Sequence, residues 1–203
     1  MNKIGIFGGS FDPIHYGHLL LAEQARCTFD LSRVIFVPAK ISPFKLNTVP
    51  TRGEDRYNMV REAIEENPYF FISDYELQKK TVSYTIETLQ ALKKEWGDQT
   101  ELYFITGTDA FLSIMNWSHS KELLTEFSFL VGNRPGYQIE ALEYVMTEVR
   151  SRYHTKVETV EMPQVDISST DIKERLYYGK SIKYLLPDSV AEYALAHQLY
   201  SRK

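Results

Sequence analysis

The sequence predicts an α/β protein: a Rossmann-like, doubly wound parallel sheet of about five or six strands, with helices on both faces and at the C-terminus. Two observations support this fold class. Short apolar runs rich in β-branched and aromatic residues alternate with longer segments whose apolar residues recur at helical spacing. The first apolar run also ends in two glycines that lead directly into a helical segment, which is typical of strand-to-helix turns in such sheets.

The predicted strands and helices alternate along the whole chain. Strands are expected over 3–7, 33–37, 69–73, 101–106, 127–131 and 157–161, and helices over 17–29, 52–66, 81–95, 139–152, 168–177 and 188–199. The second strand is typical, because Arg-Val-Ile-Phe-Val is rich in strand-forming residues and Pro38 ends it. The sequence has no internal repeat, low-complexity tract or linker, so we expect one domain over residues 1–203.

Composition narrows the class of protein. The chain has 203 residues, of which 43% are hydrophobic and 25% charged, as in ordinary globular proteins. Its net charge of −4 argues against non-specific binding to nucleic acid. A single cysteine, Cys27, excludes an internal disulfide and fits a reducing compartment. We see neither a signal peptide nor an apolar run of membrane-spanning length, so we expect a cytoplasmic protein that does not bind membranes.

The segment 8–18, Gly-Gly-Ser-Phe-Asp-Pro-Ile-His-Tyr-Gly-His, predicts a phosphate site. Glycines let the backbone approach an anion, and the first N–H groups of a helix are unpaired donors. His15 and His18 should lie on one face of a helix that begins near Tyr16 or Gly17, so both imidazoles would face the same phosphate. Read alone, such a pair is also typical of solvent-facing or capping histidines. The spacing matches neither a P-loop nor a dinucleotide-binding motif, and without accompanying ligands a structural zinc is not expected.

A second segment, Ile-Ser-Ser-Thr-Asp-Ile-Lys at 167–173, precedes another helical pattern. Its Ser168-x-x-Asp171 spacing fits a helix-capping box, which is the structural alternative. The functional interpretation is a second anion site, in which hydroxyls and helix N–H groups bind a triphosphate and Lys173 adds charge. Two such helix starts in one chain support a bound polyphosphate more strongly than either motif does alone.

Together, the two motifs resemble those of the bacterial nicotinate-nucleotide adenylyltransferases. This family belongs to the nucleotidyltransferase superfamily that shares His-x-Gly-His with class I aminoacyl-tRNA synthetases. Further similar segments follow in order: Pro43-Phe44-Lys45, Ser83 to Leu89, Gly107-x-Asp109, Trp117, Asn133 to Tyr137 and Pro187 to Tyr193. The resemblance therefore spans nearly the whole chain. One departure is Lys173, where the family usually has arginine, because lysine keeps the charge but lacks the bidentate fork.

The resemblance implies a reaction in which the 5′-phosphate of nicotinate mononucleotide attacks the α-phosphorus of ATP. The products are nicotinate adenine dinucleotide and pyrophosphate, and Mg²⁺ is expected to bind mainly through the ATP phosphates. It also implies the site residues. His15 and His18 would be catalytic; Gly8, Gly9, Ser10, Phe11, Lys45, Arg134, Ser169, Thr170 and Lys173 would bind ATP and its phosphates; Thr85, Asp109 and Trp117 would bind the nicotinate nucleotide. The structural alternatives are a core aromatic at Trp117, a helix cap at Asp109 and a surface residue at Arg134.

Other activities remain open from the sequence. A sister adenylyltransferase would act on nicotinamide mononucleotide or phosphopantetheine, and a cytidylyltransferase would need a pocket for CTP. A nucleotide-binding protein without catalysis is the non-enzymatic alternative. We expect ATP and nicotinate mononucleotide as partners and leave a homo-oligomer open. The irregular stretch 39–52 follows a strand, where α/β sheets bind ligands, and is long enough to suggest a functional loop.

Overall fold

The structure, a computed structural model, describes residues 2–40, 50–79, 82, 84–97, 99–133, 138–163 and 165–202. Within these ranges the chain forms six strands, eight α-helices and one 3₁₀ helix. In chain order they are β1 (Asn2–Gly9), α1 (Tyr16–Phe29), β2 (Arg33–Pro38), α2 (Gly53–Ile64), β3 (Phe70–Ile72), α3 (Thr85–Trp96), β4 (Thr100–Gly107), α4 (Thr108–Leu112), the 3₁₀ helix (Ile114–Asn116), α5 (Ser120–Glu126), β5 (Ser128–Asn133), α6 (Ile139–Tyr153), β6 (Val157–Glu161), α7 (Ser169–Tyr177) and α8 (Asp188–Ala196).

The strands form one sheet in the order β3-β2-β1-β4-β5-β6. β1 pairs with β4, β4 with β5 and β5 with β6, each in parallel, with Ile6 opposite Phe104 and Ile105 opposite Leu130. The order reverses between β1 and β4, the point at which doubly wound sheets bind ligands outside the carboxyl ends of their strands. The predicted fold class is confirmed.

The apolar strand residues predicted from the sequence form the core. Ile6, Ile105, Leu130 and Val131 are completely buried, as expected for central strands that are covered on both faces. Burying one such side chain contributes about 1.5–3 kcal/mol. These strands therefore provide a rigid base for the polar turns that follow them.

The contacts divide the chain into two compact units. The first contains Met1–Gly8, Leu21–Ile35 and Tyr84–Val165; the second contains Gly9–Leu20, Phe36–Ser83 and Asp166–Lys203. β4, β5 and β6 belong to the first unit, and α2, β3, α7 and α8 to the second. That residues 1–203 act as one domain stays a prediction.

Three short elements were not predicted: α4, the 3₁₀ helix and α5. They have seven residues or fewer, too few for a helical period to emerge from the sequence. The last helix, predicted over 188–199, ends earlier, at Ala196. No helix formed by the described residues has the length and apolar character needed to cross a membrane.

Candidate functional site

The turn after β1 is held by close packing. Phe11 has φ 45°, a left-handed conformation uncommon outside glycine, and its ring is almost completely buried. A Cβ atom added to Gly9 would lie 3.0 Å from that ring, so the packing leaves little room for any side chain there. Ser10, between them, contributes its backbone carbonyl to a buried arginine. Gly8, the preceding residue, belongs to the first unit, where an added Cβ would lie 3.0 Å from the Phe104 ring.

That arginine is Arg56 of α2, which sequence reasoning did not identify. Its side chain is 1% exposed. Its guanidinium donates to three backbone carbonyls: Nη1 to Ser10 at 2.7 Å, Nε to Thr51 at 2.9 Å and Nη2 to Lys40 at 3.4 Å. Burial is the largest influence on its pKa and lowers it, while the negative charge of Asp12 acts in the opposite direction. Arg56 thus ties the glycine turn to the backbone on both sides of 41–49.

Asp12 is the acidic centre of the same turn and is 6% exposed. The Tyr200 hydroxyl donates to its Oδ1 at 2.6 Å, and the Lys173 ammonium lies 3.5 Å from its Oδ2. Burial opposes ionisation of this carboxyl, but the hydrogen bonds from Tyr200 and Thr51 and the charge of Lys173 together outweigh it and lower the pKa of Asp12. Burial and the neighbouring Asp12 charge raise the pKa of Tyr200, so this phenol stays a donor.

The two predicted catalytic histidines lie together. Their rings stack with centroids 3.7 Å apart. The helix begins at Tyr16, so His15 lies immediately before it and His18 in its first turn, where the His18 N–H donates to the His15 carbonyl at 2.9 Å. The His15 N–H donates to His18 Nδ1 at 3.3 Å, so Nδ1 is the acceptor in this bond. His15 is buried and His18 half-buried.

Gly17 fits tightly between these elements. A Cβ atom added there would lie 3.1 Å from the His15 ring and 3.7 Å from the Ile167 carbonyl. Ile167 belongs to the second predicted anion motif. The start of that motif therefore packs against the histidine turn, within the second unit.

The hydroxyls of the second motif have separate roles. Ser168 caps α7, because its Oγ accepts from the Asp171 N–H at 3.1 Å, as the capping alternative predicted. Ser169 Oγ donates to the Pro13 carbonyl at 2.9 Å, so its single proton is engaged with the first motif. Thr170 is exposed, and Lys173 reaches Asp12. Phosphate contacts by Ser169, Thr170 and Lys173 stay predictions.

The nicotinate-side candidates belong to the first unit. Thr85 is the first residue of α3, four residues after the predicted start, and a helix N-terminus has backbone N–H groups without intrahelical acceptors. Asp109 is exposed in the first turn of α4. Trp117 is half-buried, its Nε1 donates to Ser113 Oγ at 3.2 Å, and its ring stands nearly perpendicular to that of Phe104. Each stays a predicted binding residue.

Two further polar groups mark the ends of β4 and β5 in this unit. The buried Thr108 hydroxyl donates to the Gly132 carbonyl at 2.6 Å and so joins the two strand ends directly before Asp109. Asn133 Oδ1 is buried and, among the described residues, has no hydrogen-bond partner. The sequence motif included Asn133 without assigning it a role.

Two predicted residues, Lys45 and Arg134, lie outside the described residues, as do Pro43 and Phe44. A cavity of about 670 Å³ lies next to Arg56 in the second unit, lined in part by Lys40, Tyr57 and Asp74. None of the described site candidates lines this cavity.

The second unit therefore brings together two imidazoles, one lysine and the N-terminus of α7 around a glycine turn. Such a group of donors suits a phosphate-bearing ligand. Sequence reasoning missed the supporting residues Asp12, Arg56 and Tyr200. A signal existed for Arg56, which occupies the apolar face of an amphipathic helix together with Met59 and Val60. No sequence signal indicated that Tyr200 reaches Asp12, 188 residues away.

The described residues contain no group of three or more His, Cys, Asp or Glu side chains that could hold a metal ion. The Asp12 carboxylate already interacts with Tyr200 and Lys173.

The chain is similar to one protein-family model and to several known proteins. Residues 6–175 match the cytidylyltransferase-like family model. A relative from Thermoanaerobacter sp. (strain X514), described as a probable nicotinate-nucleotide adenylyltransferase, is 43% identical over 200 residues, or 98% of this chain and 95% of the relative. A relative from Desulfitobacterium hafniense (strain Y51), described in the same words, is 44% identical over 98% of this chain and 95% of its own length.

The solved structure of Plasmodium falciparum nicotinic acid mononucleotide adenylyltransferase complexed with NaAD is similar to this chain, with a TM-score of 0.82. The match covers 98% of both chains at 22% sequence identity. At that identity the similarity concerns the fold.

Proposed function

This chain belongs to the nicotinate-nucleotide adenylyltransferase family, and we propose that it transfers the adenylyl group of ATP to nicotinate mononucleotide, forming nicotinate adenine dinucleotide and pyrophosphate for NAD biosynthesis. The main supporting observation is 43% identity, along nearly the full length of both chains, to a relative described as a probable nicotinate-nucleotide adenylyltransferase. The stacked histidines beside a glycine turn add a physical reason, because they supply donors suited to phosphate.

The proposed chemistry needs positioning and charge neutralisation more than a strong base. The attacking phosphate of nicotinate mononucleotide is already ionised, and the α-phosphorus of ATP is surrounded by negative charge. A site that aligns the two anions and places donors around them lowers the barrier. We propose that Nε2 of His18 donates to the phosphate group being transferred, with His15 stacked behind it and Lys173 on the triphosphate.

The remaining candidates have proposed roles on either substrate. The backbone turn that approaches ATP would be formed by Gly8, Gly9, Ser10 and Phe11. The phosphates or the adenosine of ATP would be contacted by Ser169, Thr170, Lys45 and Arg134. For Ser169, donation to a phosphate oxygen requires its hydroxyl proton to leave the Pro13 carbonyl.

For the nicotinate nucleotide, we propose that the start of α3 at Thr85 binds the ring carboxylate through backbone N–H groups. A helix N-terminus favours an anion, so this arrangement favours nicotinate over neutral nicotinamide. The flat pyridine ring would stack on Trp117, whose indole is partly accessible. Asp109 would bind a ribose or the metal-bound phosphate.

We propose Mg²⁺ as the divalent ion. It would be held mainly through the ATP phosphates, with few contacts to protein side chains, and would neutralise part of their charge. We further propose that the reaction takes place in the cytoplasm, without nucleic acid or membrane as partners; a homo-oligomer stays open.

Pyrophosphate release from Mg²⁺-ATP tests this function, with nicotinate mononucleotide, nicotinamide mononucleotide and phosphopantetheine supplied in parallel. We expect strong release with the first and weak release with the second. Release with phosphopantetheine alone would keep the superfamily chemistry but overturn the proposed substrate. A parallel series with CTP in place of ATP should give no release, and activity there would favour a cytidylyltransferase.

A further inference from the structure

The C-terminal end of the chain bends back toward the glycine turn. After α8, the Leu199 N–H donates to the Ala194 carbonyl at 2.9 Å, and both Gln198 and Tyr200 have positive φ, of 51° and 63°. Left-handed backbone at two such residues is uncommon. This path brings the Tyr200 hydroxyl to 2.6 Å from Asp12 Oδ1.

Asp12 divides its two oxygens between partners of different kinds. Oδ1 accepts from a neutral phenol, and Oδ2 faces the ammonium of Lys173 at 3.5 Å. The Lys173 side chain is 38% exposed, whereas that of Asp12 is 8% exposed. An ammonium has three N–H donors, so Lys173 can interact with Asp12 and still offer donors to a ligand.

We propose that Tyr200 is a positioning residue of the phosphate site: its hydroxyl holds Asp12, and Asp12 in turn holds the Lys173 ammonium where it meets a triphosphate. The inference rests on the proposed function insofar as the ligand is ATP. Tyr200 itself would touch no reacting atom.

The physical consequence concerns the balance of charge around Asp12. Without the phenol, Oδ1 loses the Tyr200 hydrogen bond inside a nearly closed environment, which is unfavourable, and the carboxyl keeps only its hydrogen bonds from Thr51 and its contact with Lys173. The carboxylate then relies more on Lys173, and the lysine is drawn away from the ligand. The charged or titratable groups that bear on Asp12 are Tyr200 at the C-terminus, Lys173 on α7 and Arg56 on α2, and His15 and His18 lie in the same segment.

The test is Tyr200→Phe, which keeps the ring and removes the hydroxyl with its hydrogen bonds to Asp12 and Thr51. We expect KM for ATP to rise about tenfold and kcat to change by less than about twofold. Because the Tyr200 hydrogen bond lowers the pKa of Asp12, its loss should move the acid limb of kcat/KM for ATP to higher pH. A structural role alone would not produce this shift.

Tyr193→Phe is the matched control. Tyr193 lies on α8, and its hydroxyl donates to Asp55 Oδ1 at 3.1 Å and accepts from Asn58, so the same atom is removed from a tyrosine–carboxylate pair elsewhere in the second unit. This variant should leave KM for ATP and the pH profile unchanged. An equal rise in KM for ATP in both variants would overturn the inference, because it would indicate a non-specific structural effect of losing a tyrosine hydroxyl.

A double-mutant cycle identifies the route of the effect. In a Lys173→Met background, Tyr200→Phe should raise KM for ATP no further, because the residue it acts through is gone. Full additivity of the two changes would contradict the inference.

The outcome can be separated from that of the proposed function. If the unmutated chain releases pyrophosphate with nicotinate mononucleotide but Tyr200→Phe behaves like it, the function stands and the inference fails. If the unmutated chain is inactive with every acceptor, the proposed function fails. The inference is then decided by titration calorimetry with ATP: an unchanged Kd in Tyr200→Phe overturns it, and a Kd raised about tenfold supports it.

Discussion

At the scale of single residues, the stacked pair of His15 and His18 shows how one turn can set both position and tautomer. The backbone N–H before the helix donates to His18 Nδ1, so in the neutral ring the proton lies on Nε2. A donor on that atom can stabilise charge that develops on a phosphate oxygen. The pair therefore supports a role in which His18 acts on the transferring group and His15 orients it.

His18→Ala tests this role. We expect kcat to fall by about 10²–10³-fold, because one preorganised donor to a developing anion is lost. The Kd for ATP, measured by titration calorimetry, should change by less than about threefold if the contact strengthens mainly in the transition state. His197→Ala, an exposed histidine on the C-terminal segment, should leave both values unchanged. Equal losses in kcat and affinity would instead indicate plain ligand binding.

Arg56 is the second decisive residue, and its role is structural. A guanidinium that is 1% exposed satisfies three backbone carbonyls from Ser10, Thr51 and Lys40. A buried charge of this kind is unfavourable unless all its donors find acceptors. Its removal would leave those carbonyls without their donor and would take away one of the two positive charges, Arg56 and Lys173, that act on Asp12.

Arg56→Met should therefore lower the free energy of unfolding by about 3–5 kcal/mol. Urea unfolding followed by circular dichroism measures this change. The control is Arg61→Met on the same helix, where the arginine side chain is 57% exposed. That substitution should cost less than about 0.5 kcal/mol. Similar losses in the two variants would contradict the assignment of Arg56 as a buried tie.

At the scale of elements, the start of α7 combines a helix cap with a connection to the first motif. Ser168 accepts from the Asp171 N–H, while the adjacent Ser169 donates to the Pro13 carbonyl. Of these two neighbouring serines, Ser168 thus caps α7 and Ser169 connects the helix to the first motif. The cap contributes to helix stability, and the connection fixes where the helix begins relative to the histidine turn, within one compact unit.

Ser168→Ala should lower the free energy of unfolding by about 1 kcal/mol, because one N-terminal donor of α7 loses its acceptor. Urea unfolding provides the measurement. Ser151→Ala on α6 is the comparison: this serine is exposed and donates only to the Glu148 carbonyl one turn back. Alanine there should be neutral or slightly stabilising. A loss at position 151 as large as at 168 would argue against a capping role.

At the scale of the whole molecule, stability at low pH depends on carboxylates whose ionised form is stabilised in the folded state. For both Asp12 and Glu101, burial raises the pKa, but hydrogen bonds and nearby lysines outweigh it, so the pKa lies below the ordinary values of 3.8 and 4.5. Lys173 acts on Asp12 and Lys156 on Glu101. The folded state therefore binds protons less readily than the unfolded chain at these positions.

The expected consequence has a definite sign. These carboxylates stabilise the fold above their unfolded pKa values, and this stabilisation is lost as the pH falls through the folded values. The free energy of unfolding should thus decrease as the pH is lowered from about 5 to 3. Glu101→Gln should reduce stability at neutral pH and flatten the acid slope, whereas Glu65→Gln, at an exposed position, should leave the slope unchanged. An unchanged slope in Glu101→Gln would refute this account.

The sequence determined the fold class, most strand and helix positions, and the two motifs that begin α1 and α7. It could do so because strand and helix periods, glycine turns and helix caps depend on residues that are close in the chain. Short elements such as α4 and α5 lacked enough residues to show a period. Family resemblance added the substrates, which no local pattern contains.

Only the tertiary structure decided which side chains support the motifs. Arg56 lies 46 residues from the Ser10 carbonyl that it holds, and Tyr200 lies 188 residues from Asp12. Such contacts form when elements that are distant in the sequence pack together. A buried guanidinium or carboxylate needs a hydrogen-bond partner, and packing decides which residue supplies it. The spacing of residues in the sequence does not predict these long-range contacts. The residues that hold the proposed phosphate site in place could therefore be identified only from the folded chain.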